Sequence, residues 1–310
     1  MIKFYSVIFS LITSFALTAQ QIDNGAMESW DNLGSSTEEP SNWNSFMSAS
    51  GGLALFGSQQ VEQSSDVPSS SLGSYSARVF SKSTIGIIAN GNLTLGRINM
   101  GSSTPSSTQN YNYTDTGDSD FSQELTTSPD SIVFWVKFNN SSNSDLARMK
   151  AIIHDDYNYV DPMTSESEPH VVADAALNFE STNDSWVRKS VAFDYVGPAT
   201  SPEYILVTFT TNSIPGGGSD GDEIFIDDVE LIYNSGAGIA ETGQDKWIGY
   251  HSSTGMHLSN SFPQDEILVI TDLMGKEVLK GNPGDLNGIL LNAGMYIVSH
   301  QSGSSKIIAH

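Results

Sequence analysis

The sequence predicts an all-β protein: a jelly-roll β-sandwich followed by a second, small C-terminal β-sandwich. Three observations predict it. Apolar residues alternate at period two in short runs, above all Ser131–Phe138 and Asp222–Tyr233. Gly, Ser, Asn and Pro separate these runs, and no segment keeps a helical period. Strands so spaced pack as two antiparallel sheets. Connections longer than a meander needs favour a jelly roll over an immunoglobulin-like topology.

Length and charge set bounds. The 310 residues contain no cysteine, and one domain of about 200 residues with a smaller one after it is the natural division. Such a chain buries a core without disulfides. The net charge is −23, from 36 acidic and 13 basic residues. That balance argues against nucleic acid and anionic membrane as partners. It is compatible with cation binding or with plain solubility outside a cell.

Residues 1–19 read as a signal peptide. Lys3 supplies the positive start, Phe4 to Leu17 is mostly apolar, and a small residue, Ala19, marks the cut. The apolar core is short for a membrane span. No later stretch is apolar enough to span, so no transmembrane segment is expected in the mature chain.

Residues 20–234 form the expected jelly roll. Tyr75–Phe80 and Ser83–Ala89 are strands, and Asn90-Gly91 is a hairpin signal before Leu93–Ile98. Gly101–Ser119 is a long polar loop, of the kind usually functional or disordered. Ser131–Phe138 puts Ile132, Phe134, Val136 and Phe138 on one face. Arg148–His154 follows and runs into the acid and aromatic loop Asp155–Pro162. Trp186–Tyr195, Tyr204–Thr210 and Asp222–Tyr233 complete the set. In the last strand strict alternation places Phe225, Val229, Leu231 and Tyr233 on one face, together with Asp227. A carboxylate in an apolar row is costly unless paired, hydrogen-bonded or metal-bound. Residues 235–245 read as a linker, and residues 246–310 as the small sandwich.

The final unit resembles the type A C-terminal sorting domain of the type IX secretion system of Bacteroidota. Ile267–Val278 contains Asp272-Leu-Met-Gly-Lys276, Leu291–Val298 contains Leu-Asn-Ala-Gly-Met-Tyr, and Lys306-Ile-Ile308 ends the series. The family's usual Asn-Pro near the domain start is absent; Ser252–Gly255 stands there. The resemblance implies export through the type IX machinery and a secreted or outer-membrane-surface location. The main domain resembles a carbohydrate metabolism domain of secreted Bacteroidota proteins. Asn24-Gly with Glu28-Ser-Trp30, Ser76-Ala-Arg78, Ala89–Gly96 and Pro129–Val136 carry the likeness. Asn24-Gly-x-x-Glu28 and Ile226–Leu231 are also similar to jelly-roll carbohydrate-binding modules, in which the first and last strands hold a structural calcium. That resemblance implies a shared site for Glu28 and Asp227, with Asn24 or nearby carbonyls completing the shell. Hard cations favour such oxygen donors. The alternative is that Asp227 accepts backbone hydrogen bonds and no metal binds.

A glycan or polysaccharide is the expected partner. Flat aromatic faces stack on sugar rings, and amides or acids bond their hydroxyls. Tyr157 and Tyr159, beside Asp155, Asp156 and Asn158, are the first candidates, followed by Tyr111 and Tyr113 beside Asn110 and Asn112. Two tyrosines two apart on an extended loop project to one side. Capping of the core is the competing role for these rings. Asp115–Asp120 has an acidic-loop look without the terminal acid of an EF-hand, and a plain turn is expected there. A glycan-active hydrolase or lyase on the same sandwich is the rival reading. His154 with Asp155 and Asp156 is its least weak cluster, since paired acids are too common in this chain to mean anything. A structural or adhesive surface protein is the third reading.

Overall fold

The structure, a computed structural model, describes residues 19–84, 86–140, 146–233, 248–251, 255–258, 266–272, 275–292, 294–300 and 303–309. The expected signal peptide, save Ala19, and the linker 235–245 lie outside the described residues. The chain divides into two compact units, Met1–Asn234 and Ser235–His310.

The first unit is a jelly-roll sandwich. Its strands are β1 (Trp30–Asp31), β2 (Glu39–Pro40), β3 (Val61–Ser64), β4 (Ser76–Phe80), β5 (Lys82–Thr84), β6 (Ile87–Ala89), β7 (Asn92–Thr94) and β8 (Arg97–Met100), then β9 (Asn110–Tyr113), β10 (Ser131–Asn139), β11 (Ala147–His154), β12 (Val160–Asp161), β13 (Val171–Phe179), β14 (Val187–Ala192), β15 (Tyr204–Thr210) and β16 (Glu223–Ile232). One sheet has the order β14-β10-β16-β4-β3, and the facing sheet has β13-β11-β15-β7. A three-stranded sheet, β12-β9-β8, accompanies them.

Period-two alternation fills the core as expected at β10. Ile132, Phe134, Val136 and Phe138 point inward and are fully buried. Met149, Ala151 and Ile153 of β11 and Ile205, Val207 and Phe209 of β15 meet them. Phe134 and Phe209 lie edge to face at 5.1 Å, a favoured aromatic geometry.

The last strand departs from strict alternation. Its register against β10 pairs Val133 with Glu230 but Trp135 with Asp227, so β16 contains one extra residue. Asp228 takes φ +46° at this bulge. A bulge reverses the parity of the strand. Ile224 and Ile226 face the core before it, and Val229 and Leu231 after it. Phe225 lies on the other face, under the Lys137 ammonium at 4.3 Å and edge-on to Trp186. Asp227 therefore does not share the inward row with Val229 and Leu231.

Four further segments differ from expectation. Asn90-Gly91 joins no hairpin, since β6 pairs with β5 and β7 with β15, and Leu93–Ile98 divides between β7 and β8. Ser83–Ala89 is a tight hairpin, β5 and β6, rather than one strand, with Gly86 at φ +75°. The polar stretch Gly101–Ser119 contains β9. β13 was not foreseen, because its inward residues include Ala173 and Ala175, which give little strand signal. The chain also begins in register. Gln21 donates from Nε2 to the Leu231 carbonyl at 2.8 Å and accepts from the Leu231 N–H at 2.8 Å, as a paired strand residue would.

In the second unit, β19 (Leu268–Asp272), β20 (Glu277–Gly281), β21 (Gly294–His300) and β22 (Gly303–Ala309) form a sheet of order β20-β19-β21-β22. β17 (Ile248–His251) pairs with β18 (Gly255–Leu258), and one helical turn, α1, spans Pro283–Leu286. Met256, Leu268, Ile270, Leu286, Tyr296 and Val298 make its core. The Asp272-x-x-Gly275-Lys276 motif is a turn: Asp272 Oδ1 accepts the Lys276 N–H at 3.0 Å, and Gly275 sits at φ +77°.

A second, small core lies on the outer face of β11 and β15. Ile152, Leu206 and Val171 meet the ring of Tyr159, which is fully buried. The Tyr159 hydroxyl has no hydrogen-bond partner, and burial pushes its pKa up. A buried unsatisfied hydroxyl costs about 1–3 kcal/mol. Tyr159→Phe should therefore leave stability unchanged or raise it by up to about 1 kcal/mol, whereas Tyr159→Ala should cost about 3–5 kcal/mol. Urea unfolding of both variants checks this; a marked loss in Tyr159→Phe would mean that the hydroxyl is bonded.

Candidate functional site

The outer face of the four-stranded sheet has two halves. Register sets its rows. Ile152 lies beside Asp174 and Leu206, Lys150 beside Ala176 and Thr208, and Arg148 beside Asn178 and Thr210. On β7, Thr94 is next to Thr208 and Asn92 next to Thr210. In the first row Ile152 and Leu206 are apolar and covered by Tyr159. In the next two, Lys150, Thr208, Arg148, Thr210 and Asn92 line a groove of about 700 Å³.

Apolar side chains wall the groove, among them Phe46, Phe56, Ile98, Met100, Tyr111 and Met163. One wall is the loop after β8, and the Asn110 amide holds it. That side chain accepts from the N–H groups of Gly101 and Ser102, at 3.1 and 2.9 Å, and donates to the Ser102 and Thr104 carbonyls, at 3.0 and 2.8 Å. The wall is thus set before any ligand arrives, as ligand sites usually are.

Several residues that line the groove have polar atoms without partners. Asn92 donates from Nδ2 to Asn112 Oδ1 at 3.0 Å, and Asn90 from Nδ2 to the Ile214 carbonyl at 2.8 Å. The Oδ1 atoms of both Asn90 and Asn92 are buried without a hydrogen bond. Buried acceptors are normally paired, and an orphan asks for an explanation. Among the described residues the Arg148 side chain also has no hydrogen-bond or ion-pair partner. Lys150, in contrast, is ion-paired with Asp161.

Of the sequence candidates for glycan contact, Tyr111 lines this groove. Tyr113 stands edge-on to it at 5.7 Å, with its hydroxyl 3.3 Å from Ser50 Oγ. The Tyr157/Tyr159 platform does not form. The loop after β11 folds back so that Val160 and Asp161 pair with Tyr113 and Asn112, and Tyr159 turns inward because Ile152, Val171 and Leu206 need cover. Tyr157 stacks flat on His170 instead, at 3.8 Å and 2°. His170 Nδ1 donates to Asp155 Oδ1 at 2.8 Å. Asn158 Oδ1 accepts from the N–H and hydroxyl of Thr116, both at 2.9 Å, and Asp156 is exposed. Asp118 caps a short turn by accepting the Asp120 N–H at 3.1 Å, so the Asp115–Asp120 loop is a turn as expected.

His154 makes no catalytic cluster. It is fully buried and stacked between Tyr159 and Tyr204 at 5.4 and 5.8 Å. Nδ1 faces the Asp155 carbonyl at 2.8 Å and so bears the proton, while Nε2 accepts from the Thr114 hydroxyl at 2.9 Å. Burial pushes its pKa down to about 4.

The groove residues missed by sequence reasoning are Arg148, Lys150, Asn92, Thr208 and Thr210. A signal existed. Arg148 and Lys150 alternate with Met149 and Ala151, and Thr208 and Thr210 with Val207 and Phe209. Polar outward rows on two strands mark a face that no apolar layer covers.

The acid site lies elsewhere, on the other side of the five-stranded sheet from the core. Val229 donates its N–H to the Gly25 carbonyl at 2.8 Å, so the first segment does run along the last strand. Asp227 is fully buried. Its Oδ1 accepts the Asp228 N–H at 2.8 Å, and its Oδ2 has no partner. Burial, then the Asp228 charge, and to a smaller extent the Glu28 charge, push its pKa up to about 7. Glu28 Oε1 accepts the N–H groups of Ser74 and Tyr75, both at 2.8 Å. The expected calcium shell fits these residues only in part. Asp227 Oδ2 is a free donor atom, but the Asn24 side chain is spent on the carbonyls of Ser29 and Ser41 and the Ser29 N–H. Among the described residues no cluster of three or more His, Cys, Asp or Glu is placed to hold a metal.

An unfolded Asp titrates near 3.9. Between about pH 4 and pH 7 folded Asp227 keeps a proton that the unfolded chain has lost. Its contribution to stability therefore falls as pH rises across that window and is flat above it. Asp227→Asn should remove the fall. The variant's stability relative to wild type should rise between pH 5 and pH 8 by about 3 kcal/mol, two units at about 1.4 kcal/mol each. His154 acts oppositely, losing stability as pH falls from about 6.5 towards 4, and it cancels in the comparison of wild type with Asp227→Asn. Thermal melts at the two pH values read the difference. If calcium binds Asp227, millimolar calcium should flatten the wild-type fall and leave Asp227→Asn unmoved.

No family model matches the chain, and no curated protein does. Solved structures with a similar fold include a candidate glycoside hydrolase from Bacteroides thetaiotaomicron, at 17% identity and TM-score 0.46, over 62% of this chain and 63% of that one. The match thus spans less than two thirds of that protein. A candidate glycoside hydrolase from Bacteroides vulgatus matches at 16% identity and TM-score 0.40, over 70% and 95%. The module TmCBM61, solved with β-1,4-galactotriose, matches at 13% identity and TM-score 0.33, over 69% and 97%. At these scores the likenesses speak to neither ligand nor activity.

Proposed function

We propose that this is a secreted or surface-exposed, non-catalytic carbohydrate-binding protein that holds a glycan in the groove on the outer face of β11, β15 and β7. The supporting observation is the pairing of polar lining side chains with apolar walls. Asn92, Asn112, Thr208 and Thr210 line the groove beside Arg148 and suit the hydroxyls of a sugar. The C–H faces of a sugar ring pack on Tyr111 and Phe56. Hydrolysis by a carboxylate pair needs two free acids about the scissile bond. Among the described residues the groove lining contains a single acid, Asp161, engaged by Lys150, so binding is the better-supported reading.

Glycan-array screening of the full chain tests the proposal. Phe56 is 66% exposed at the groove rim, so Phe56→Ala should change stability by less than about 0.5 kcal/mol. It should cost about 1 kcal/mol or more of binding to a cognate glycan, as a removed aromatic anchor does. Unchanged affinity in Phe56→Ala and Tyr111→Ala would move the site elsewhere.

The proposal includes delivery by type IX secretion, supported by the three motifs of the final unit. Deleting residues 246–310 should abolish release into the medium and leave the chain inside the cell. Undiminished extracellular protein on immunoblot would reject the sorting role.

A further inference from the structure

We infer that the sugar held in the groove is anionic, a uronate or a sulfated unit whose negative group sits on Arg148. The inference rests on the glycan-binding reading and deepens it. It starts from where the acids are not. The chain has 36 acidic against 13 basic residues, yet among the described residues the charged ones lining the groove are Arg148, Lys150 and Asp161. Asp161 is neutralised by Lys150, with both side chains largely buried. What remains is the guanidinium of Arg148, with no hydrogen-bond or ion-pair partner among the described residues.

An unpaired cation at a half-buried position is unusual in so acidic a protein, where carboxylates are plentiful. β11 fixes its place. Arg148 is flanked by Asn178 on β13 and Thr210 on β15, and neither is an acid. A guanidinium presents planar, forked N–H donors that match a carboxylate or a sulfate ester. Asn92, Asn112, Thr208 and Thr210 line the groove with Arg148 and suit the hydroxyls of the same sugar. Cation and polar lining together describe a ligand with an anionic group and free hydroxyls. The chain's own charge of −23 opposes a polyanion at long range. That field is screened beyond about 8 Å at physiological salt, whereas a direct guanidinium contact is not.

Titration calorimetry on the full chain separates the possibilities. The probes are oligogalacturonate, the same oligosaccharide with its carboxylates reduced to alcohols, and a sulfated galactan oligosaccharide. At least one acidic probe should bind, and the carboxyl-reduced probe should bind at least about tenfold more weakly than its parent, the range for a charged hydrogen bond. Arg148→Gln should abolish that preference, and Arg148→Lys should restore only part of it. A preference for oligogalacturonate assigns a uronate, and a preference for the galactan a sulfate. Equal binding of acidic and reduced probes, unaffected by Arg148→Gln, would overturn the anionic inference and leave the glycan reading standing. Absence of binding to both acidic probes would also overturn it. An array that shows no glycan binding at all, neutral or acidic, would remove the underlying reading as well.

Discussion

The groove side of the first unit follows from the two faces of β11. Its odd-numbered residues from Ala147 to Ile153 are locked into the sandwich core. The even-numbered residues must therefore point outward, and they change character along the strand from Arg148 and Lys150 to Ile152. An outward Ile152 beside an outward Leu206 exposes apolar area, which is favourable to cover at about 25 cal/mol per Å². The loop after β11 supplies the cover by turning Tyr159 onto them. Having done so, the loop returns to pair with β9, and the three-stranded sheet then stands as a wall beside the uncovered polar rows. The covered half of the sheet face creates the groove over the other half.

The same parity rule, broken once, explains the acid site. Had β16 kept strict alternation, Asp227 would have lain in the core between Phe225 and Val229. The extra residue at the bulge turns Asp227 outward while keeping Ile226 and Val229 inward. The carboxylate is then covered by loops rather than by core side chains. Ser71 reaches the neighbouring Asp228 at 3.5 Å, and Glu28 fastens Ser74 and Tyr75. Burial without a full set of partners holds the carboxyl near pH 7. A group so poised titrates where a surface Asp would not, which is the physical content of the costly acid that the sequence displayed.

Legibility in the sequence divided along these lines. Fold class was legible because β10, β11, β15 and much of β16 obey the alternation that a sandwich imposes. Strand β13 was not, because small alanines on its inward face satisfy packing without producing an apolar signal. The bulge was invisible, since one inserted residue leaves composition unchanged and only shifts parity. Site reasoning favoured aromatic loop residues and found Tyr111. It misplaced Tyr159, because a ring in a polar loop reads as exposed until the apolar patch beneath it is known. Arg148, Lys150 and Thr208 were overlooked because they sit in regular strands, where polar residues read as solvated. Their meaning depends on β7, β9 and β12 closing round them, and that is a fact of tertiary structure.

The separation of the two sites has a mechanical consequence. Asp227 lies beyond the five-stranded sheet, and the groove lies beyond the four-stranded one. Between them stands the packed layer in which Phe134 contacts both Phe179 and Phe209. Close-packed interiors are stiff and do not deform continuously. A proton or a cation at Asp227 makes no differential contact with anything in the groove, and without such contact it has no means of biasing ligand affinity. Its leverage is on the join between the first segment and the last strand, where Gly25 and Gln21 bond to Val229 and Leu231. The acid site thus lies at the join of the first segment and the last strand, and the groove lies across the core from it. Chemistry at one can change without disturbing the other.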